Sequence, residues 1–149
     1  MNGTNNLQPA TLDDCNLVLA QYPDLTAAGF DSYFSAQHER TNARRAREGL
    51  PPEVCYPPIP ITDPDVRGEI STARQFIRKV GRRRKTINRK LGTSYGLKHQ
   101  AERHMGVYIS NGAFIAAAYL EGYAMKREGP NACVSLRFTP EYRQILTKR

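Results

Sequence analysis

At 149 residues, 40% hydrophobic and 24% charged, the chain has the balance of a globular protein with one core. It has no apolar run near the roughly 18 residues of a membrane helix, and residues 1–10 lack the apolar stretch of a signal peptide. Membrane and secretory classes are therefore set aside, and a cytoplasmic protein is expected.

The formal net charge of +8 is polarised along the chain. Residues 1–66 carry four basic and nine acidic side chains, whereas residues 70–104 carry eleven basic and one acidic. Such asymmetry is expected where a basic face has a partner. Cys15, Cys55 and Cys133 are odd in number and far apart, with no Cys-x-x-Cys. They read as idle thiols rather than as a zinc site with His38, His99 or His104. No metal or cofactor is expected.

Residues 1–10 read as a flexible start, and residues 11–149 as one helical domain. Thr11, Asp13 and Asp14 signal a short first helix to about Tyr22, before Pro23. A second helix is expected over 27–47, ending in Arg40, Arg44, Arg45 and Arg47, where cations suit the negative end of the helix dipole. Residues 49–64 contain six prolines and read as an extended connector.

Asp63-Pro64 then marks a helix start, with Asp as N-cap and Pro in the first turn. Val66, Ile70, Ala73, Ile77, Val80, Ile87 and Leu91 recur at spacings of four, three, four, three, seven and four. The spacing predicts one amphipathic helix of roughly 40 Å, with a weak point at Gly81. A shorter helix is predicted from Thr93 or Ser94 to Met105, closed by Gly106. After an extended link at 107–109, an almost wholly apolar helix is expected over 113–126 and reads as the core helix. The alternation of Ala132, Val134, Leu136 and Phe138 predicts a strand; segment 107–109 or 54–61 is its expected partner. A last helix follows Thr139-Pro140.

The long helix is the informative object. Arg74, Arg78, Arg82, Lys85 and Arg89 fall within a wedge of roughly 80° on it, widened by Lys79, Arg83 and Lys90. Arg84 fits only if the helix breaks at Gly81. Like charges three and four apart repel by a few tenths of a kcal/mol per pair, and nothing acidic lies between Ile70 and Ala101 to relieve them. Such a stripe suits a ladder of phosphates. Lys98 and Arg103 extend the candidate set, and Tyr95 is a candidate for stacking on a base.

A helix-turn-helix reading of 94–126 is disfavoured, because the would-be recognition helix, from Ala113 to Leu120, has almost no side chain able to reach bases or phosphates. Walker, GxGxxG, GxSxG and HExxH motifs are absent. Asp63, Asp65, Glu69 and Glu102 are the only carboxylates that suggest a metal-dependent nuclease, and the first two are explained by the helix start. No enzyme activity is expected.

Two segments, Ser94-Tyr95-Gly96-Leu97-Lys98-His99 and Tyr108-Ile109-Ser110-Asn111-Gly112-Ala113-Phe114-Ile115-Ala116-Ala117-Ala118, together with Gly129-Pro130-Asn131-Ala132, resemble small accessory proteins of bacterial plasmids, integrative elements and phages. The resemblance covers under a third of the chain and brings no fold or activity. It implies a mobile-element context, in which DNA binding or inhibition of a host defence complex, the anti-CRISPR type included, is common. A basic inhibitor departs from the acidic DNA mimics of that class.

The sequence thus predicts a mostly α, single-domain protein with a long basic amphipathic helix, a buried apolar helix and a minor C-terminal β element. The expected function is largely sequence-independent nucleic-acid binding, to DNA or RNA. The alternative is a protein-binding inhibitor or assembly factor whose basic face docks on an acidic protein or ribonucleoprotein. No membrane partner is expected, and the apolar helix leaves a homodimer open.

Overall fold

The computed structural model describes residues 8–148. Of the start read as flexible, residues 1–7 lie outside the described residues, and residues 8–10 are docked. Ala10 is buried, its N–H donates to Arg67 O at 3.0 Å, and Ser71 Oγ donates to Gln8 O.

Helix α1 (Leu12–Gln21) starts at a capping box: Thr11 Oγ1 accepts from Asp14 N–H, and the Asp14 carboxylate accepts from Thr11 N–H. The second helix begins later than the sequence suggests. Strands β1 (Leu25–Thr26) and β2 (Gly29–Phe30) form a tight antiparallel hairpin before α2 (Asp31–Arg47). Gly29, at φ 123°, adopts a backbone conformation that L side chains rarely take, and Phe30 N–H is committed to Pro130 O. Both facts withdraw residues 27–30 from the helix. Helix α2 has no buried residue, and the proline-rich segment returns along it without regular structure. Arg45 Nε donates to Pro51 O at 2.6 Å, and Glu53 N–H donates to Asn42 Oδ1 at 2.9 Å.

Helix α3 (Pro64–Val80) starts where Asp63-Pro64 predicts, with Asp63 Oδ1 accepting from the N–H groups of Asp65 and Val66. Asp63→Ala is expected to lose about 1 kcal/mol, seen as a lower urea midpoint at unchanged m-value. An unmoved midpoint would show that the cap contributes nothing.

The predicted long helix does not form. Helix α3 stops at Val80, and Gly81 is extended (φ −100°, ψ 151°). Strand β3 (Gly81–Arg83) pairs antiparallel with β6 (Leu136–Phe138), and Thr139 N–H closes the corner on Val80 O at 2.8 Å. Glycine weakens a helix by about 1 kcal/mol, but packing decides here. A Cβ on residue 81 would lie 2.7 Å from Ile77 O and 2.9 Å from Leu136 Cδ1, so only glycine allows this close crossing. Ile87 and Leu91, read as the end of the apolar stripe, instead lie half-buried in a loop and in the 3₁₀ turn Arg89–Leu91.

Helix α4 (Ser94–Met105) matches its prediction and ends at Gly106, which is left-handed at φ 73°. Helix α5 (Asn111–Leu120) is shorter than expected at its C-terminal end, because residues 125–128 are not helical. They form β4 (Met125–Glu128), the antiparallel partner of β5 (Asn131–Val134). The predicted strand over 132–138 is therefore two strands, split at buried Ser135, and neither segment proposed as its partner pairs with it. Helix α6 (Pro140–Thr147) is capped by Thr139.

Residues 111–118 of α5 are all buried, and α3, α4 and α1 pack around them in one connected apolar cluster. Among the described residues no helix is long and apolar enough to cross a membrane.

Candidate nucleic-acid interface

The break at Gly81 redistributes the basic segment. Arg74 and Arg78 remain on α3, but both are tied to Glu121. Arg74 Nη2 lies 3.3 Å from Glu121 Oε2, Arg78 Nη2 lies 3.2 Å from the same oxygen, and Arg78 Nε bonds Glu121 Oε1. Arg74 also approaches Asp14 at 3.8 Å, and its buried Nε has no hydrogen-bond partner among the described residues. The hydrogen bond and charge of Glu121 push the Arg78 guanidinium further up. These two arginines therefore fasten α3 to the end of α5 rather than stand ready for a phosphate.

Lys98 is a clearer correction. It is only 6% exposed, with Nζ 2.9 Å from Glu102 Oε1 and the rings of Tyr95 and Tyr108 beside it. Arg89 is exposed but donates to Glu128 Oε1 at 3.2 Å. Lys79, Arg82, Arg83, Arg84, Lys85, Lys90 and Arg103 are exposed and have no carboxylate partner among the described residues.

In the β3–β6 ribbon, Gly81 faces Phe138, Arg82 faces Arg137, and Arg83 faces Leu136. Directly opposed residues share a face. Leu136 and Phe138 are buried, so the Arg82–Arg137 pair lies on the outer face. Like charges directly opposed destabilise a ribbon. Arg82 is partly settled by main-chain oxygens where α3 meets β3, donating to Gly81 O at 2.7 Å and Arg78 O at 3.3 Å. Arg137 has no such partner among the described residues.

Beyond Arg82, residues 84–88 are pinned across the junction of β5 and β6. Arg84 N–H donates to Ser135 O at 2.9 Å, Asn88 N–H to Val134 O at 3.0 Å, and Asn88 Nδ2 to Leu136 O at 2.9 Å. A hollow of about 340 Å³ opens beside this junction, lined by Arg84, Arg137, Arg143, Asn88, Gln100 and three apolar residues. It has three arginines in its lining and no carboxylate. Guanidinium groups present donors in a planar fork that matches phosphate.

Arg137 and Arg143 are absent from the candidate binding residues read from the sequence, because each is an isolated cation far from the 74–103 segment. The alternation Leu136-Arg137-Phe138 does place Arg137 outward, but no sequence signal says that it meets Arg82.

The other candidate chemistries resolve into structural roles. Glu69 Oε1 accepts from Ser110 N–H at 2.6 Å, and Glu102 Oε1 accepts from Ile109 N–H at 3.3 Å. The two carboxylates thus hold consecutive amides of the 107–110 link. Among the described residues no group of three or more His, Cys, Asp or Glu is placed to hold a metal ion. Burial raises the thiols of Cys15 and Cys133, the latter raised further by its hydrogen bond to Glu128. Comparison of the chain with protein-family models, with curated proteins and with solved structures finds no match.

Proposed function

We propose that the protein binds nucleic acid through phosphate contacts made by Arg82, Arg84, Arg137 and Arg143, flanked by exposed Lys85 and Lys90; Arg83, opposite Leu136, lies on the other face of the ribbon. One observation carries the reading: two arginines are opposed across a two-stranded ribbon, beside a hollow lined by arginines and free of carboxylates. Some other cations of this chain are neutralised locally, Arg74 and Arg78 by Glu121 and Arg127 by Asp24 at 2.6 Å. Leaving this cluster uncompensated costs stability, and a polyanion restores it by releasing counterions. The buried helix α5 has no exposed face to enter a groove, and the reading is confined to phosphate contacts.

The test is fluorescence anisotropy with labelled duplex DNA and duplex RNA across a range of salt concentrations. Log affinity is expected to fall linearly with log salt. The double variant Arg82→Ala/Arg137→Ala is expected to flatten that slope by about two and to weaken binding by about 60-fold near 0.1 M salt. The wild type ignoring duplexes and single strands alike at low salt would overturn the reading in favour of an acidic protein or ribonucleoprotein partner on the same face. An unchanged slope in the double variant would mean that phosphates are held elsewhere.

A further inference from the structure

We infer that the hollow between α4, the 107–110 link and the β4–β5 turn takes one unpaired nucleobase, stacked on Tyr108 and Tyr95. The inference rests on the nucleic-acid reading above and deepens it, from phosphate contact to the kind of strand held. The hollow encloses about 510 Å³, lined by Tyr95, Lys98, Tyr108, Asn131, Phe34 and Pro130 among others.

Its walls are aromatic and open. Tyr95 is 54% exposed and Tyr108 67% exposed, and both are held in place rather than left free. The Lys98 ammonium lies 5.6 Å from the centre of the Tyr95 ring and 4.8 Å from that of Tyr108, so it ties the two rings to one point. His99 meets Tyr95 edge-on at 4.7 Å. The link bearing Tyr108 is clamped by Glu102 and Glu69 on the next two amides. Exposed rings fixed in this way lose little further freedom on stacking against a ligand.

The buried lysine is not the anion handle, because Glu102 already neutralises it. Its role is to orient the rings. The hydrogen-bonding group is Asn131: its Oδ1 accepts from Asn111 Nδ2 at 2.8 Å, and its amide nitrogen has no partner among the described residues. A free amide donor beside an aromatic wall suits the carbonyl of a base.

The pocket is continuous with the basic segment. Glu128, opposite Asn131 in the β4–β5 pair, holds Arg89, and the turn Arg89–Leu91 leads directly into α4 ahead of Tyr95. A strand whose phosphates run over exposed Lys90 thus brings its bases to the two tyrosines. Every base has a π-face, so stacking of this kind tolerates sequence. It excludes paired bases, whose faces are covered.

The experiment compares a labelled single-stranded oligothymidylate with a duplex of equal length at one salt concentration. Wild type is expected to prefer the single strand. Tyr108→Ala is expected to lose roughly 5- to 150-fold on the single strand and nothing on the duplex, whereas Tyr108→Phe retains binding. Tyr95→Ala, checked for fold by circular dichroism, is expected to move in the same direction. Single-strand affinity that survives both alanine variants, while Arg82→Ala/Arg137→Ala still weakens it, overturns the pocket and leaves the charge reading standing. Equal losses on strand and duplex also overturn it. Failure of the wild type to bind either probe removes the charge reading and this one with it.

Discussion

Replacing Gly112 with alanine is expected to lower the melting temperature by about 10 °C, a loss of about 3 kcal/mol or more. A Cβ there would stand 1.7 Å from Thr26 O, 2.7 Å from Thr26 C and 3.0 Å from Ala27 Cα. Every one of these atoms is backbone, so no rotamer change relieves the clash. The same glycine donates its N–H to Ala27 O at 2.8 Å, and Asn111 Nδ2 reaches Ala28 O at 3.2 Å. Separating α5 from the β1–β2 hairpin would therefore break hydrogen bonds as well as packing. Gly68, in the interior of α3 with nothing within 4 Å of its Cβ position, is the control. Gly68→Ala should raise stability by about 0.5–1 kcal/mol, the ordinary helix preference for alanine. Equal melting temperatures for the parent and Gly112→Ala would mean that the close approach of α5 to the hairpin is not as described.

Glu102→Ala is expected to cost about 3–5 kcal/mol, because it leaves the Lys98 ammonium buried and unpaired. It also removes the acceptor for Ile109 N–H and the contact with His99 at 3.0 Å. Glu102→Gln keeps an acceptor for the amide and should cost less. Adding Lys98→Met to Glu102→Gln should return stability most of the way, since a buried ion pair replaced by neutral groups of similar volume is often nearly neutral. A double-mutant cycle by urea denaturation reads the coupling. Additive single losses would show that the pair does not interact.

The same site predicts a pH dependence. Burial acts to raise the Glu102 carboxyl, but hydrogen bonds from Lys98, Ile109 N–H and His99, together with the lysine charge, outweigh it and hold the group below the usual carboxylate range. Asp24 behaves alike, with Arg127 and Ser32 overcoming its burial. A carboxylate whose folded pKa is depressed contributes stability above its unfolded value, near 4, and loses it as pH falls through the folded value. Stability should thus decline steadily below about pH 4, and Glu102→Gln should decline less steeply than the parent.

The helix boundaries that depend on local chemistry were legible in the sequence. Thr11 with Asp14, Asp63 with Pro64, Gly106 and Thr139 with Pro140 each act on their own turn, and each appears where the residue types place it. The burial of α5 was legible for a similar reason: a segment apolar on every side has no face to give to water. The failures share one cause. The periodicity of 66–91 satisfies a helix, and nothing within that segment states that residues 136–138, more than forty positions away, offer a better arrangement. Gly81 makes the break possible, but the strand that captures 81–83 decides it. The same holds for 125–128, which reads as a helix end until β5 is beside it.

The amino-acid sequence by itself determined where this protein's positive charge is concentrated, because charge is a property of residue types. Only the tertiary structure decided which cations are free. Glu121, Glu128 and Glu102 neutralise Arg74, Arg78, Arg89 and Lys98 from across the fold, while strand pairing sets Arg137 opposite Arg82 and α6 brings in Arg143. Electrostatic partnership falls off with distance in space, and distance in space is what the folded chain alone specifies.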